Sequence, residues 1–83
     1  MSDWYEAAVK NLLEIAKVDS QLAKLINARC KQLEREPTLG QWVIGARWIY
    51  TDPSYKFRIN YNYNAKAKNY KAEIVAIYYR MPE

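Results

Sequence analysis

The first half of the chain spaces its apolar residues as an amphipathic helix does. From residue 3 to about residue 18 they recur every three or four positions, on one helical face: Tyr5, Val9, Leu12, Leu13 and Ala16. A second stripe of the same period follows: Leu22, Leu25, Ile26, Arg29, Cys30 and Leu33. Asp3 and Asp19 are candidate caps at the starts, and Pro37 disfavours a helical Glu36. The pattern predicts two antiparallel helices joined by a tight turn.

After Gly40 the period becomes two, which is typical of strands. Residues 42 to 51 predict one strand, bent at Gly45. Residues 55 to 63 alternate most regularly, with Phe57, Ile59, Tyr61 and Tyr63 on one face and Lys56, Arg58, Asn60 and Asn62 on the other. The run from residue 70 to 79 is apolar on both faces at its middle, which favours a central strand. A three-stranded antiparallel meander is therefore expected.

Neither pattern can bury its apolar side alone, so we expect the helices to pack on one face of the sheet. The predicted fold is α+β, an N-terminal antiparallel helical hairpin on a three-stranded antiparallel β-meander. One domain should span residues 1–83, since a chain of this length holds a single core. Two sets of residues should meet in that core, namely Leu12, Leu13, Leu22, Leu25, Ile26 and Leu33 against Phe57, Ile59, Ile74 and Ile77.

Composition narrows the classes of function. A single cysteine, Cys30, cannot form an internal disulfide, and no apolar run approaches the ~20 residues that span a bilayer. We therefore expect a cytoplasmic protein with no membrane partner. Histidine is absent and one cysteine alone cannot make a zinc site, so we expect no metal site. No Gly-rich phosphate loop is present in the sequence, and we expect no cofactor. Cys30 lies on the apolar stripe of the second helix, which predicts a buried and inert thiol.

The surplus positive charge belongs to the second half of the chain. Residues 1–40 hold six basic and six acidic side chains, whereas residues 41–83 hold seven basic and three acidic ones, the whole net charge of +4. Clustered Lys and Arg favour a polyanion partner, although a modest positive charge is equally typical of a merely solvated face. The candidate nucleic-acid-binding residues are Arg47, Lys56, Lys66, Lys68 and Lys71. Two of them, Lys66 and Lys68, lie in a polar stretch that predicts a basic loop.

The reactive side chains are Arg, Lys, Tyr and a few carboxylates. That inventory suits one reaction well, the cleavage of RNA by its own 2′-hydroxyl. There the protein need only orient the phosphate, stabilise the added negative charge and move protons.

The order of these segments resembles the RelE/ParE toxin superfamily of toxin–antitoxin systems. Residues 7–37 are similar to the family's helical hairpin, and residues 45–48, 55–61 and 74–80 to its later strands. The family's first strand is short or missing in this chain, since only Trp4 and Tyr5 occupy its position. The resemblance implies a ribosome-dependent mRNA endonuclease with RNA, the ribosome and a cognate antitoxin as partners, although some members poison DNA gyrase instead.

The resemblance also implies roles for individual residues. Arg58 would stabilise the phosphate, and Tyr79 and Arg80 would form the strand-end pair near the scissile bond. Arg47 and Lys56 would be supporting cations.

A noncatalytic binding module is the alternative. A phage- or plasmid-encoded inhibitor or a degenerate toxin would use the many aromatic side chains, since Trp and Tyr are the usual anchors of protein interfaces. A nonenzymatic nucleic-acid binder would use the same basic face. The dependence of binding affinity on salt concentration distinguishes these functions, because polyanion binding weakens steeply as salt rises and binding through an apolar interface does not.

Overall fold

The computed structural model describes residues 4–54, 56–64 and 72–80. It confirms the α+β fold class, with a helical hairpin followed by an antiparallel sheet. The elements in chain order are α1 (Glu6–Val18), α2 (Ser20–Arg35), a 3-10 turn (Pro37–Leu39), β1 (Gln41–Ile44), β2 (Arg47–Thr51), β3 (Phe57–Asn62) and β4 (Glu73–Tyr79).

The helix boundaries follow from local chemistry. Asp19 caps α2 as predicted, because its Oδ1 accepts a hydrogen bond from the Leu22 amide at 3.0 Å. The α2 helix ends at Arg35, two residues before Pro37. The predicted start of the first helix at residue 3 was wrong. The N-cap of α1 is Tyr5, whose side chain makes no capping hydrogen bond, and Asp3 lies outside the described residues.

The sheet has four strands, so the predicted number of three was wrong. What was expected to be one bent strand is the hairpin of β1 and β2, which reverses direction at Gly45 with φ +56°. Glycine adopts this left-handed conformation without the steric cost of a Cβ. Trp42 pairs with Trp48 across the hairpin, and Ile44 with Arg47. The alternating pattern of the sequence runs through residues 45 and 46 without a break, which is why periodicity alone does not reveal the turn.

The strand order is β1-β2-β3-β4, so β4 lies at an edge and its predicted central place was wrong. The N-terminal segment covers part of that edge. Trp4 forms an isolated parallel bridge with Ile74, and the Tyr5 amide donates to the Ile74 carbonyl at 2.9 Å. Further along, the Ile77 amide donates to Asn11 Oδ1 of α1 at 3.1 Å. These contacts give β4 a covered edge, which explains its apolar character.

The core lies between the helices and one face of the sheet. As predicted, Ile26 and Leu33 are buried, as are Phe57, Ile59, Ile74 and Ile77. Leu12 and Leu22 are only partly buried. The expected burial of Leu13 and Leu25 was wrong, because they are 60% and 43% exposed. The residues of α1 that are buried are Ala8 and Ile15.

Tyr61 ties the end of the helical hairpin to the sheet. Its hydroxyl donates to the Pro37 carbonyl at 2.5 Å and accepts from the Gly40 amide at 3.1 Å. A Cβ on Gly40 would lie only 2.7 Å from the Ile49 carbonyl oxygen, so glycine permits this close approach.

Tyr61→Phe should lower the free energy of unfolding by about 1–3 kcal/mol, because it leaves the Pro37 carbonyl and the Gly40 amide without this partner.

Burial also raises the pKa of Tyr61 to about 12 from its ordinary value of 10.0. The unfolded chain therefore loses this proton first, and the stability linked to the group is lost between about pH 10 and pH 12. Measured by urea unfolding, the free energy of unfolding should fall less between pH 9 and pH 11 in Tyr61→Phe than in the wild type. An equal loss in both proteins would contradict the linkage.

Cys30 is fully buried, as predicted. Burial, together with the charge of Glu34, raises the pKa of its thiol to about 12. We expect a thiol reagent to label the native protein far more slowly than the urea-unfolded chain, because the thiolate is the reactive form. Equal rates in the two states, followed by mass spectrometry, would show that the thiol is reactive after all.

Candidate nucleic-acid interface

The sheet turns one face to the helices and the other away from them. In β3 the buried side chains of Phe57, Ile59 and Tyr61 alternate with Arg58, Asn60 and Asn62, which point to the second side. We call this second side the open face. Within β2, β3 and β4 it comprises Arg47, Ile49 and Thr51 of β2, Arg58, Asn60 and Asn62 of β3, and Glu73, Ala76 and Tyr78 of β4.

Strand register places an arginine beside a tyrosine on the open face. Thr51 pairs with Arg58, and Arg58 pairs in turn with Tyr78. The Arg58 guanidinium carbon lies 5.1 Å from the centroid of the Tyr78 ring, within the range of a cation–π contact. Arg58 is exposed and Tyr78 is 50% exposed. Two planar groups are thus presented together at the surface.

Two more cations lie beside this pair. The Arg80 amide donates to the Lys56 carbonyl at 2.8 Å, which extends the β3–β4 ladder by one step. Both residues are exposed. We call Lys56, Arg58, Tyr78 and Arg80 the basic end of the open face. It joins three of the predicted site residues to one that was not predicted.

A buried carboxylate fixes the turn that leads into the basic end. Asp52 is almost fully buried, and its Oδ2 accepts from the amides of Ser54 at 3.1 Å and Lys56 at 3.4 Å. The Asp52 amide donates to the Phe57 carbonyl at 3.0 Å. Asp52 thus bonds back to the backbone two residues on, which is a usual role of Asp in turns. The turn sets the backbone position of Lys56 relative to Arg80.

Arg47 lies on the open face but away from the basic end. It pairs with Asn62, whereas Arg58 pairs with Thr51, four residues along β2. At about 3.3 Å per residue, this is a separation of roughly 13 Å along the strand. Asn62 also pairs with Glu73 and donates to the Tyr5 hydroxyl at 3.4 Å. Arg47 is exposed, so it can contact a long ligand that also contacts Arg58 but does not belong to the same cluster.

Tyr79 lies on the opposite side of the sheet from Arg58. It pairs with Phe57 and packs, half-buried, against the core. The structure therefore does not bring the predicted group of Arg58, Tyr79 and Arg80 together on one surface. Tyr78 stands beside Arg58 instead. Counting alternate residues back from Arg80 would have identified Tyr78.

Three predicted cations, Lys66, Lys68 and Lys71, lie outside the described residues, between β3 and β4. Within residues 4–54, 56–64 and 72–80, no group of three His, Cys, Asp or Glu side chains is placed to hold a metal ion. Neither of the described α-helices is long and apolar enough to cross a bilayer.

Comparison of the chain with protein-family models, with curated proteins and with solved structures finds no match. The resemblance to RelE/ParE toxins therefore stays a prediction from the residue pattern.

Proposed function

We propose that the open face binds single-stranded nucleic acid, with RNA as the expected form. The observation that carries the proposal is the Arg58 guanidinium over the exposed Tyr78 ring, with Lys56 and Arg80 beside it. Guanidinium groups bind phosphate with two donors and also stack on planar rings. The basic end can therefore contact the backbone and the bases of one strand together.

The shape of the site favours single strands over duplexes. Sequence-tolerant binding of single strands combines cations along the backbone with aromatic rings that stack on unpaired bases. A four-stranded sheet with exposed aromatic side chains is one known platform for this. Charge supports the proposal as well, because the half of the chain that forms the sheet holds the whole net charge of +4.

Titration of labelled single-stranded RNA at several salt concentrations tests the proposal. Each phosphate contact contributes about −0.7 to the slope of log affinity against log salt. Lys56, Arg58 and Arg80 together should therefore give a slope of about −2. A DNA strand and an RNA duplex of the same sequence serve as comparisons. Absence of binding, or binding that is insensitive to salt, would refute the proposal and favour the noncatalytic protein-binding module.

Arg58→Gln should weaken RNA binding by about tenfold or more, since a hydrogen bond to a charged group is worth about 1.5–3 kcal/mol. The slope of log affinity against log salt should become shallower by about 0.7. The matched control is Arg35→Gln, which removes the same charge from the end of α2. Equal losses in the two variants would mean that net charge, and not the open face, drives binding.

Ribosome-dependent mRNA cleavage by a RelE-like toxin is the second candidate, and the grouping of three cations with Tyr78 favours it. In this reaction the 2′-hydroxyl loses its proton and attacks phosphorus, and the 5′-oxygen leaves after gaining a proton. Arg58 would stabilise the added charge, and Tyr78, rather than the predicted Tyr79, would be placed to move a proton. Expression with and without the neighbouring gene, which would encode the antitoxin, tests this candidate. A chain that neither inhibits growth nor cleaves ribosome-bound mRNA would exclude it.

A further inference from the structure

The segment before α1 places two aromatic side chains on opposite sides of the sheet. Trp4 bridges to Ile74, packs against the core and donates from Nε1 to Glu34 Oε1 of α2 at 2.9 Å. Tyr5 follows in extended backbone, with φ −69° and ψ 150°, so its side chain points to the other side. Its hydroxyl accepts from Asn62 Nδ2 of the open face at 3.4 Å. Tyr5 therefore reaches the open face from beyond the edge of β4.

An exposed ring and a cation meet at the end of the open face that is opposite the basic end. Asn62 pairs with Arg47 of β2 on one side and with Glu73 of β4 on the other. Arg47 is exposed, and Tyr5 is 43% exposed, close to the 50% of Tyr78. We call Tyr5, Arg47 and Asn62 the far end of the open face. Because the Glu73 carboxylate lies on the same face as Arg47, we expect this end to contribute stacking more than charge.

Between the two ends the open face carries short side chains. Asn60 lies midway between Arg58 and Asn62 along β3 and pairs with Ala76 of β4. Its Oδ1 is buried and has no hydrogen-bond partner among the described residues, which is uncommon for a buried acceptor. The last side-chain torsion of Asn is soft, so rotation of the amide can turn Oδ1 toward an amino or hydroxyl group of a bound strand.

We infer that Tyr5 is a second stacking site for the same RNA strand, which runs along β3 from the basic end to the far end. The inference rests on the proposed function. Four residues of β3 separate Arg58 from Asn62, roughly 13 Å at about 3.3 Å per residue. A stacked strand advances about 3.4 Å per nucleotide and an unstacked one up to about twice that, so bases on the two rings lie about two to four nucleotides apart. The ligand class is thus an unpaired segment of at least about three to five nucleotides.

Competition by unlabelled oligouridylates of about two to ten nucleotides against labelled RNA tests the inference. For the wild type, affinity should rise steeply until the strand reaches both rings and then level off, because the second contact forms within one complex. Tyr5→Ala should bind the longest oligomer about fivefold or more weakly and should bind the dinucleotide as the wild type does. The slope of log affinity against log salt should stay that of the wild type, because the substitution removes no cation.

Two further variants separate stacking from stability. Tyr5→Phe keeps the ring and loses only the hydrogen bond to Asn62, so it should bind the longest oligomer almost as the wild type does. The matched control is Leu25→Ala, which removes a side chain of equal exposure, 43%, from α2. Circular dichroism establishes that each variant is folded. A loss of affinity in Tyr5→Ala that is the same at every length, or the same as in Leu25→Ala, would overturn the inference.

Photo-cross-linking locates the contact directly. A pentanucleotide carries one 4-thiouridine at each position in turn, and mass spectrometry identifies the residue that reacts. Tyr5 and Tyr78 should react from positions about two to four nucleotides apart. Reaction of both rings from the same position, or none at Tyr5, would overturn the inference and leave the proposed function in place. A wild-type chain that binds no RNA of any length would overturn both.

Discussion

Ile26→Ala is expected to lower the free energy of unfolding by about 2–5 kcal/mol, the range for truncating a fully buried aliphatic side chain. Ile26 has no exposed surface and lies in the core cluster with Ile59 and Ile77. The cost has two parts, because the removed atoms lose their burial and the well-packed surroundings close only partly around the cavity. In an 83-residue chain such a loss is a large share of the total stability.

The neighbouring residue provides the control. Leu25 is 43% exposed, so Leu25→Ala should cost about 1 kcal/mol or less. Urea unfolding followed by circular dichroism measures both variants against the wild type. Equal losses would show that α2 is rotated and buries Leu25, as the sequence pattern alone predicted. An unchanged midpoint for Ile26→Ala would contradict the packing of α2 on the sheet.

Tyr78→Ala should reduce the affinity for single-stranded RNA by about 1–3 kcal/mol, which is the worth of one base stacked on an aromatic ring. In binding constants this is roughly a five- to 150-fold loss. The substitution also removes the ring against which the Arg58 guanidinium rests. Tyr78 is half exposed and outside the core, so the fold should be retained. Tyr78→Phe keeps the ring and should bind almost as the wild type does.

The neighbouring residue Tyr79 provides the control for Tyr78→Ala. Tyr79→Phe preserves the packing against the core and should leave RNA binding unchanged, because this side chain lies on the helical side of the sheet. Fluorescence anisotropy with the same labelled RNA measures all three variants. Loss of binding in Tyr79→Phe with none in Tyr78→Ala would place the ligand on the opposite side of the sheet. If the wild type cleaves ribosome-bound mRNA, Tyr78→Phe should slow cleavage while retaining affinity, as expected of a proton carrier.

In segments where the apolar residues follow one dominant spacing, the sequence by itself determined the structure. The change of period near Gly40 separates helices from strands, and the α+β class followed from it. The alternation from Phe57 to Asn62 placed Arg58 opposite the core, because a strand has only two faces. Asp19 and Asp52 act through bonds to backbone only two to four residues away, so their roles were also predictable.

Only the tertiary structure decided the features that depend on distant partners. The apolar residues of α1 lie on more than one face of the helix, so the sequence does not decide which face is buried. In the structure Ala8 and Ile15 are buried and Leu13 is exposed. Gly45 reverses the chain because β1 and β2 can pair, a choice that alternation does not contain.

The register of β3 with β4 decided which tyrosine accompanies Arg58. It shifts by one residue at Val75, so Ile74 and Ile77 both reach the core and Tyr78 comes to the open face. A single irregularity of this kind exchanges the two faces of a strand, since the side-chain period is two. The irregularity arises from pairing between segments that are distant in sequence, whereas the shared side of Tyr78 and Arg80 follows from local alternation.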